Sequence, residues 1–204
     1  TRNGIVKKTP LQAYANHRAN GNWAITLPQD DELVNLENTD GEQYIMLFAR
    51  SGNCIRKHER DFRSMGRVYR DVIGIRLKKD QQVVSMLVLG DGDILTATQR
   101  GFGKRTNTED HHAQGRGGQG VIGIQTSERN GALVSAVQVT DDDDIMLISD
   151  GGTLVRTRAG EISTLGRNTQ GVTLIRLGDE ENLVGIERVV TEDDEDVEGG
   201  AAEE

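Results

Sequence analysis

Apolar and glycine positions repeat along this chain with a period close to 50 residues. In each copy a short apolar run leads into a glycine turn, and a second run follows that ends in basic residues. The turn glycines are Gly4, Gly52, Gly101 and Gly152, so the spacing is 48 to 51 residues. Self-similarity at such a period is typical of solenoids, propellers and other repeat arrays. The pattern therefore predicts four copies of one structural unit.

Two further apolar runs recur in every unit. The later run begins at Leu33, Val83, Leu133 and Leu183, and the earlier run passes through Ile25, Ile75, Ile124 and Ile175. Polar connections of five residues, such as 78–82, separate the two runs and fit hairpin loops. No window shows the apolar stripe of an amphipathic helix. The sequence thus predicts an all-β, propeller-like chain with about four blades of four short strands each.

The repeat also predicts the boundaries of the units. We place the blades at approximately 1–40, 41–91, 92–141 and 142–189, followed by an acidic, disordered tail at 190–204. The first unit starts at the second strand of its opening hairpin, and nothing after Ile186 resembles the strand that is missing. Because a closed ring needs that strand, we expect further blades upstream of this segment.

Composition indicates the cellular compartment in which the protein is expected. There is no signal peptide and no apolar run near 18 residues, so neither secretion nor membrane spanning is indicated, and we expect no membrane among the partners. The one cysteine, Cys54, excludes an internal disulfide and fits a cytoplasmic protein. We interpret it as a small buried strand residue rather than a reactive thiol.

The distribution of charge changes the meaning of the net charge of −9. Residues 190–204 hold eight acidic residues and no basic one. Residues 1–105 hold 17 basic and 12 acidic residues, whereas residues 106–189 hold 7 and 13. The first half is therefore the side on which an anion would bind, and the tail either competes with that anion or only solubilises the chain.

A first set of candidate binding residues lies on the second strand of each hairpin. It comprises Lys7, Lys8, Arg56, Lys57, Lys104, Arg105, Arg156 and Arg158. Equal offsets past the glycine become equal heights in a ring of blades, so we expect an exposed band of cations that suits a phosphate backbone. The alternative is that these residues are solvated strand ends that prevent edge pairing.

A second set lies in the long connection before the third strand. Arg67, Arg116 and Arg167 each stand five residues before an equivalent valine. In the first unit His17 and Arg18 occupy this place, and Arg63 adds charge in the second unit. Because repetition in a loop is harder to explain by packing than repetition in a strand, we predict that these arginines also bind.

Other sites that the sequence allows are weaker. The run Gln114 to Gly120 contains a formal GxGxxG, but a strand rather than a helix should follow it, which argues against a dinucleotide site. The acidic run 141–144 lacks calcium-loop spacing, and the adjacent His111 and His112 lack metal-ligand spacing. We find no catalytic constellation. Aromatic residues make up only 3% of the chain, which favours duplex backbone recognition over single-strand stacking.

Three long segments identify a family resemblance. LGDGDILTATQRGFGKRT (89–106), SERNGALVSAVQV (127–139) and DGGTLVRTRAGEISTLGRNTQGVTLIRL (150–177) closely resemble the last blades of the C-terminal domain of bacterial DNA gyrase A. The resemblance covers essentially all of residues 1–189. The hallmark box of the family, QRRGGKG, belongs to a first blade that this chain lacks, and QGRGGQG at 114–120 is similar to it with two basic positions lost.

The resemblance implies a β-pinwheel, usually of six blades, that wraps double-stranded DNA around its rim. It implies partnership with the rest of gyrase A and with gyrase B in an A2B2 assembly. ATP and magnesium would be handled by gyrase B, so no cofactor is expected here. The domain would be noncatalytic within a type II topoisomerase, because none of Tyr14, Tyr44 and Tyr69 follows the arginine that precedes the family's catalytic tyrosine.

Three alternatives remain open from the sequence. The homologous domain of topoisomerase IV also binds DNA but wraps it poorly. A protein-binding propeller with an incidental basic patch belongs to another class. A propeller hydrolase is the third, and it would need a central cluster of carboxylates.

Overall fold

The computed structural model describes residues 1–16, 20–67, 72–115 and 117–189, so the predicted acidic tail at 190–204 lies outside the described residues. Within these ranges the regular elements are β-strands and 3-10 helices of three or four residues, which confirms the all-β prediction. The strands are β1 (Ile5–Val6), β2 (Tyr44–Ala49), β3 (Asn53–His58), β4 (Val72–Ile73), β5 (Val83–Leu89), β6 (Asp93–Thr98), β7 (Phe102–Thr106), β8 (Val121–Ile122), β9 (Leu133–Val139), β10 (Asp144–Ser149), β11 (Leu154–Arg158), β12 (Val172–Thr173) and β13 (Leu183–Val189). The 3-10 helices are Leu11–Tyr14, Glu59–Asp61, Thr108–Asp110 and Ala159–Glu161.

The strands form four antiparallel sheets. Sheet 1 pairs β1 with β4, sheet 2 has the order β5-β2-β3-β8, sheet 3 the order β9-β6-β7-β12, and sheet 4 the order β13-β10-β11. The second, third and fourth units each contain four strands, as predicted. The chain is therefore a row of small sheets in the manner of propeller blades.

Each of the last three units contributes one short strand, which we call an exchanged strand, to the sheet of the preceding unit. The two-residue strand β8 belongs to the third unit but pairs with β3 of the second, at Cys54 and Val121. In the same way β4 pairs with β1, and β12 pairs with β7 at Gly103. Each exchanged strand occupies the outer edge of the preceding sheet, so successive units are interlocked as well as packed.

Glycine is required at the hairpin turn for two reasons. Gly101 has a φ of +77°, and a Cβ there would lie 2.4 Å from the carbonyl oxygen of Ile175 in the next unit. Its own carbonyl accepts hydrogen bonds from the N–H groups of Leu174 at 2.8 Å and Ile175 at 3.2 Å. The hairpins at Gly4 and Gly52 dock on the following unit with the same pair of bonds. The turn therefore reverses the chain and also joins two blades.

The hydrophobic core lies between the sheets rather than inside any one of them. Alternate residues of β2 face opposite neighbours, as the two-residue period of a strand requires. Met46 and Phe48 pack in the cluster between sheets 2 and 3, while Leu47 and Ala49 pack in the cluster between sheets 1 and 2. A third cluster joins sheets 3 and 4 around Leu95 and Leu147. Burial of both faces explains why these strands are almost continuously apolar.

The first unit departs from the prediction. A strand was expected at Leu33 and Val34, but no strand lies between residues 20 and 43 of the described chain, and Leu36 is 76% exposed. In the second unit the corresponding strand, β5, is held by β2. The described residues of the first unit contain no counterpart of β2, so an apolar run there has no hydrogen-bonding neighbour.

The strands β5, β9 and β13 line an open cleft of about 780 Å³. The exchanged strands lie at the opposite, outer edges of the sheets. This arrangement defines the outer rim of the molecule as the side that carries β4, β8 and β12. Among the described residues, no helix is long and apolar enough to cross a membrane.

Candidate nucleic-acid interface

The strand pairing corrects the predicted alignment of the cations. Lys8, Arg56 and Arg105 occupy one position, because each forms the same isolated parallel bridge to the loop of the following unit. Arg156 is their equivalent in β11, since its partner Met146 corresponds to the partner of Arg56. Of the other predicted strand cations, Lys7 and Lys104 share the preceding position, which is isoleucine in the second unit and valine in the fourth. The shared feature is therefore one cation for each blade and not a pair.

The cations at this position in the first three units join successive blades. Each cation donates to the carbonyl oxygen of the first residue of the next unit's 3-10 helix. Lys8 reaches Glu59 O at 3.4 Å, Arg56 reaches Thr108 O at 3.3 Å and Arg105 reaches Ala159 O at 3.1 Å. These side chains act as interblade clamps.

Each clamp is reinforced by a carboxylate or a second carbonyl. Lys8 forms a 2.9 Å ion pair with Glu59, and Arg56 also donates to His111 O at 3.2 Å. Arg105 pairs with Asp93 at 2.8 Å and with Asp141 at 2.6 Å. The clamps therefore use much of the hydrogen-bonding capacity that the sequence assigned to phosphate.

The expectation of an exposed band is wrong for three of the strand cations. Lys57, Lys104 and Arg105 are buried, and Lys104 is fully so. Lys104 and Arg105 are covered because β7 is second from the rim and the fourth unit packs over it, whereas Lys57 is buried against residues of its own unit. Lys57 lies over the Phe62 ring at 5.2 Å, and burial lowers its pKa. Its ammonium group does not face solvent.

Arg156 and Arg158 remain exposed because, among the described residues, β11 has no outer neighbour in sheet 4. Arg156 forms an ion pair with Asp144 of the adjacent strand, with Nε at 2.9 Å from Oδ2. Lys7 is half-buried and donates through Nζ to the carbonyl oxygen of Arg67. Of the strand set, only the last unit thus keeps the exposure that was predicted.

The described members of the second predicted set, Arg63, Arg67 and Arg167, lie in the long connections that precede the outer strands β4 and β12, and Arg67 and Arg167 are half-buried. We call the connections that carry Arg67, Arg116 and Arg167 the arginine loops. Arg167 donates through Nη1 to Ile122 O at 3.0 Å, which places it across the groove between sheets 2 and 3. Arg67 lies over the Tyr14 ring at 5.9 Å, and Arg63 is exposed. His17, Arg18 and Arg116 lie outside the described residues.

Exposed arginines that the sequence analysis did not select lie close to these loops. Arg76 follows β4, and its Nε lies 4.0 Å from where a Cβ on Gly117 would stand, beside the arginine loop of the third unit. Arg176 holds the same place after β12 and is also exposed. Each directly follows a repeated isoleucine, which was a signal available in the sequence.

A further exposed group stands at the hairpin tips. Arg50 and Arg100 both lie just before a turn glycine, and both are exposed. Arg129 is exposed over the Phe102 ring at 4.7 Å. These residues therefore add exposed cations to the half-buried Arg67 and Arg167 of the arginine loops.

The structure also bears on the sites that the sequence analysis rejected. The glycine-rich run before Val121 leads into β8, a strand rather than a helix. Burial raises the pKa of the Cys54 thiol to about 12, so the cysteine is an inert core residue. His111 occupies the core position held elsewhere by Phe62 and Ile162, and burial lowers its pKa to about 4. The described residues contain no cluster of three His, Cys, Asp or Glu side chains that could hold a metal ion.

Comparison with known proteins agrees with this architecture. The family model described as DNA gyrase C-terminal domain, beta-propeller, matches residues 1–40, 43–89, 92–140 and 143–189. The chain is 53% identical over 201 residues to DNA gyrase A of Pseudomonas aeruginosa, covering 97% of this chain and 22% of that protein. It therefore spans about a fifth of the length of this relative.

Two solved structures have the same fold. The DNA gyrase A C-terminal domain superposes with a TM-score of 0.82 at 24% identity, covering 93% of this chain and 64% of that one. The C-terminal domain of DNA topoisomerase IV superposes with a TM-score of 0.86 at 26% identity, covering 92% and 59%. On the match of the family model to its four repeats, the chain belongs to the family of DNA gyrase C-terminal domains with a beta-propeller fold.

Proposed function

We propose that this chain binds double-stranded DNA on its outer rim and wraps it, as a noncatalytic module of DNA gyrase A. Wrapping would support the negative supercoiling that the whole enzyme drives with ATP. The 53% identity to DNA gyrase A of Pseudomonas aeruginosa supports the assignment to gyrase. The positions of the arginines support the assignment of the rim as the DNA-binding surface.

The observation that carries the proposal is the recurrence of the arginine loops at the outer grooves. Arg167 reaches across one groove to Ile122 O, and Arg76 lies beside the equivalent loop of the preceding groove. A duplex that follows the rim would meet cations at each blade. Because affinity for duplex DNA grows with the number of phosphates neutralised at once, a repeated single arginine is suited to this task. Additional phosphate interactions around the curve would offset the cost of bending.

The strand cations have a different place in this proposal. Lys8, Arg56 and Arg105 hold successive blades together. Their contribution to DNA binding would come through the curvature of the rim, with direct phosphate contact left to Arg156 and Arg158. Arg18 and Arg116 retain the role that the repeat predicts for them.

A gel shift on duplex DNA at several salt concentrations tests the proposal. Replacing both Arg67 and Arg167 with alanine should weaken binding and reduce the slope of log K against log salt by about 2, one for each lost phosphate contact. R188A is a matched control, because Arg188 is an exposed arginine on β13, which lines the open cleft at the sheet edges opposite the rim. Equal losses in the two variants, or no binding by the unsubstituted chain, would contradict the proposal.

The topoisomerase IV domain remains a second candidate, because its solved structure superposes as well as that of gyrase. The two functions differ in wrapping. A wrapping module shifts the linking number of relaxed plasmid after nicking and resealing, whereas a module that binds without wrapping leaves it unchanged. A shift would favour gyrase.

The same proposal places the chain within a cytoplasmic A2B2 assembly. Its partners would be the rest of gyrase A and gyrase B, and ATP and magnesium would be bound by gyrase B. Co-purification of gyrase B with a gyrase A protein that contains this module tests the assembly. ATP-dependent supercoiling by the reconstituted complex, lost when residues 1–189 are deleted, tests the contribution of the module.

A further inference from the structure

A lysine lies beneath the arginine loop of the fourth unit. Lys104 is fully buried, and its Nζ donates to the carbonyl oxygens of Gly166 and Arg167 and, at 3.1 Å, to the hydroxyl of Thr169. An ammonium group has three N–H donors, so each finds an acceptor in the same loop. One side chain thereby fixes the backbone on both sides of Arg167.

The same arrangement occurs in another part of the chain. Lys7 directly follows Val6, as Lys104 follows Gly103, and both preceding residues pair with the equivalent valine of an exchanged strand. Lys7 donates through Nζ to the carbonyl oxygen of Arg67. Two arginine loops are thus held from below by a lysine of the preceding unit, at the carbonyl of the arginine itself.

The intermediate unit lacks this contact. Ile55 occupies the equivalent strand position, is 1% exposed and packs in the apolar cluster between sheets 1 and 2. The arginine loop of the third unit, which stands in the same relation to Ile55, has glycine at 115, 117, 118 and 120. One chain therefore contains both forms of the arrangement, with and without the lysine.

Ile55 also shows that an apolar residue can fill this strand position. A buried ammonium group is costly to desolvate, and burial lowers the pKa of Lys104 to about 8. Lysine is therefore unfavourable here as a packing residue. Its cost is offset by the loop carbonyls and the Thr169 hydroxyl that it binds.

We propose that Lys104 and Lys7 are positioning residues for DNA binding, each of which holds an arginine loop in the conformation that presents its arginine to a phosphate. This inference rests on the proposed function. A loop that is already ordered does not lose conformational entropy on binding, so affinity rises without an additional contact. By the same reasoning the loop over Ile55 contributes less.

A double-mutant cycle tests whether Lys104 acts through Arg167. K104M should weaken duplex binding about fivefold and lower the salt slope by about 1, because one phosphate contact is no longer held in place. In an R167A background the same substitution should have no further effect. Additive losses in the double variant would mean that Lys104 does not act through Arg167, and would overturn the inference.

K57M separates positioning from general stability. Lys57 is also a buried strand lysine, but it contacts Phe62 rather than a loop carbonyl. Amide hydrogen exchange in residues 163–171 of the free protein should accelerate in K104M and stay unchanged in K57M. A loss of DNA affinity in K57M equal to that in K104M would contradict the inference.

A second double-mutant cycle, of K7M with R67A, repeats the test at a half-buried lysine. If K104M does not fold, this second cycle decides whether the lysine acts through the loop arginine. Failure of the unsubstituted chain to bind duplex DNA would defeat the proposed function. Binding by the unsubstituted chain with additive cycles would defeat only the role of the lysines.

Discussion

Arg105 donates through Nη1 to the carbonyl oxygen of Ala159 at 3.1 Å and so joins the third unit to the fourth. The same guanidinium pairs with Asp93 at 2.8 Å, and its side chain is only 9% exposed. A single side chain thus couples a hairpin, a 3-10 helix and the interface between two sheets. This role differs from the phosphate contact that the sequence predicts for the residue.

Replacing Arg105 with alanine should therefore reduce the free energy of unfolding rather than remove a direct contact with DNA. The substitution leaves Asp93 and a buried carbonyl without their partner, and breaking a buried pair costs about 3 kcal/mol. Urea denaturation of R105A measures the loss. The matched control is R156A, which removes an equivalent pair with Asp144 at an exposed site, where the expected cost is below about 1 kcal/mol. Equal losses in both variants would contradict the assignment of Arg105 as a clamp.

Glu59 should make stability depend on pH in the acid range. Burial raises the pKa of this carboxyl, but hydrogen bonds from Thr39 and Gln43 and the contact with Lys8 outweigh burial and lower its pKa from 4.5 to about 2. Because the folded state favours the carboxylate, the contribution to stability is fully present above pH 4.5. It is lost as the pH falls from 4.5 towards 2.

The measurement is the free energy of unfolding at about pH 6 and about pH 2.5. Between these values the unsubstituted chain should lose about 2 to 3 kcal/mol more than E59Q. Since the other carboxyl groups are shared by both proteins, the difference isolates Glu59. A parallel decrease in the two proteins would show that this carboxyl does not carry the effect.

The hairpin glycines offer a matched pair of substitutions. Gly101 and Gly152 have φ values of +77° and +85°, so alanine is strained at both. At Gly101 the added Cβ would also lie 2.4 Å from Ile175 O, whereas at Gly152 it meets nothing within 4 Å. G152A should cost about 1 kcal/mol from backbone strain alone. G101A should cost at least about 3 kcal/mol, because docking on the next unit is disrupted as well. Similar thermal midpoints for the two variants would argue against hairpin docking.

Arg76 and Arg176 should contribute to DNA affinity although the sequence analysis did not select them. Both are exposed and follow an exchanged strand at the rim. The double variant R76A/R176A should lower the salt slope by about 2 and leave the urea midpoint unchanged. Fluorescence titration of a labelled duplex at several salt concentrations provides the slope. A slope equal to that of R188A would remove these residues from the interface.

The sequence was sufficient for the local structure. The spacing of Gly4, Gly52, Gly101 and Gly152 identified the repeat, because glycine adopts the positive φ of such a turn without steric cost. The apolar runs predicted the strands of the last three units, since both faces of each strand are buried between sheets. The loop arginines stood out for a related reason, as a residue that recurs in a loop has no packing explanation.

The sequence was insufficient wherever a residue's environment is supplied by another unit. Arg105 and Arg156 occupy the same strand position, yet Arg105 is buried and Arg156 is exposed. What separates them is the exchanged strand and loop that cover β7 and do not cover β11. In the same way, Leu33 has the pattern of a strand residue and lacks the neighbour that would make it one.

The sequence by itself determined the repeat, the all-β class, the turn positions and the recurrence of the loop arginines, because these depend on backbone conformation and on local alternation. Only the tertiary structure decided which cations bind to neighbouring units of the chain and which face solvent. That decision depends on strand exchange between units some fifty residues apart, which sets the burial of Lys104 and the interblade contact of Arg105. Periodicity along one unit does not encode it.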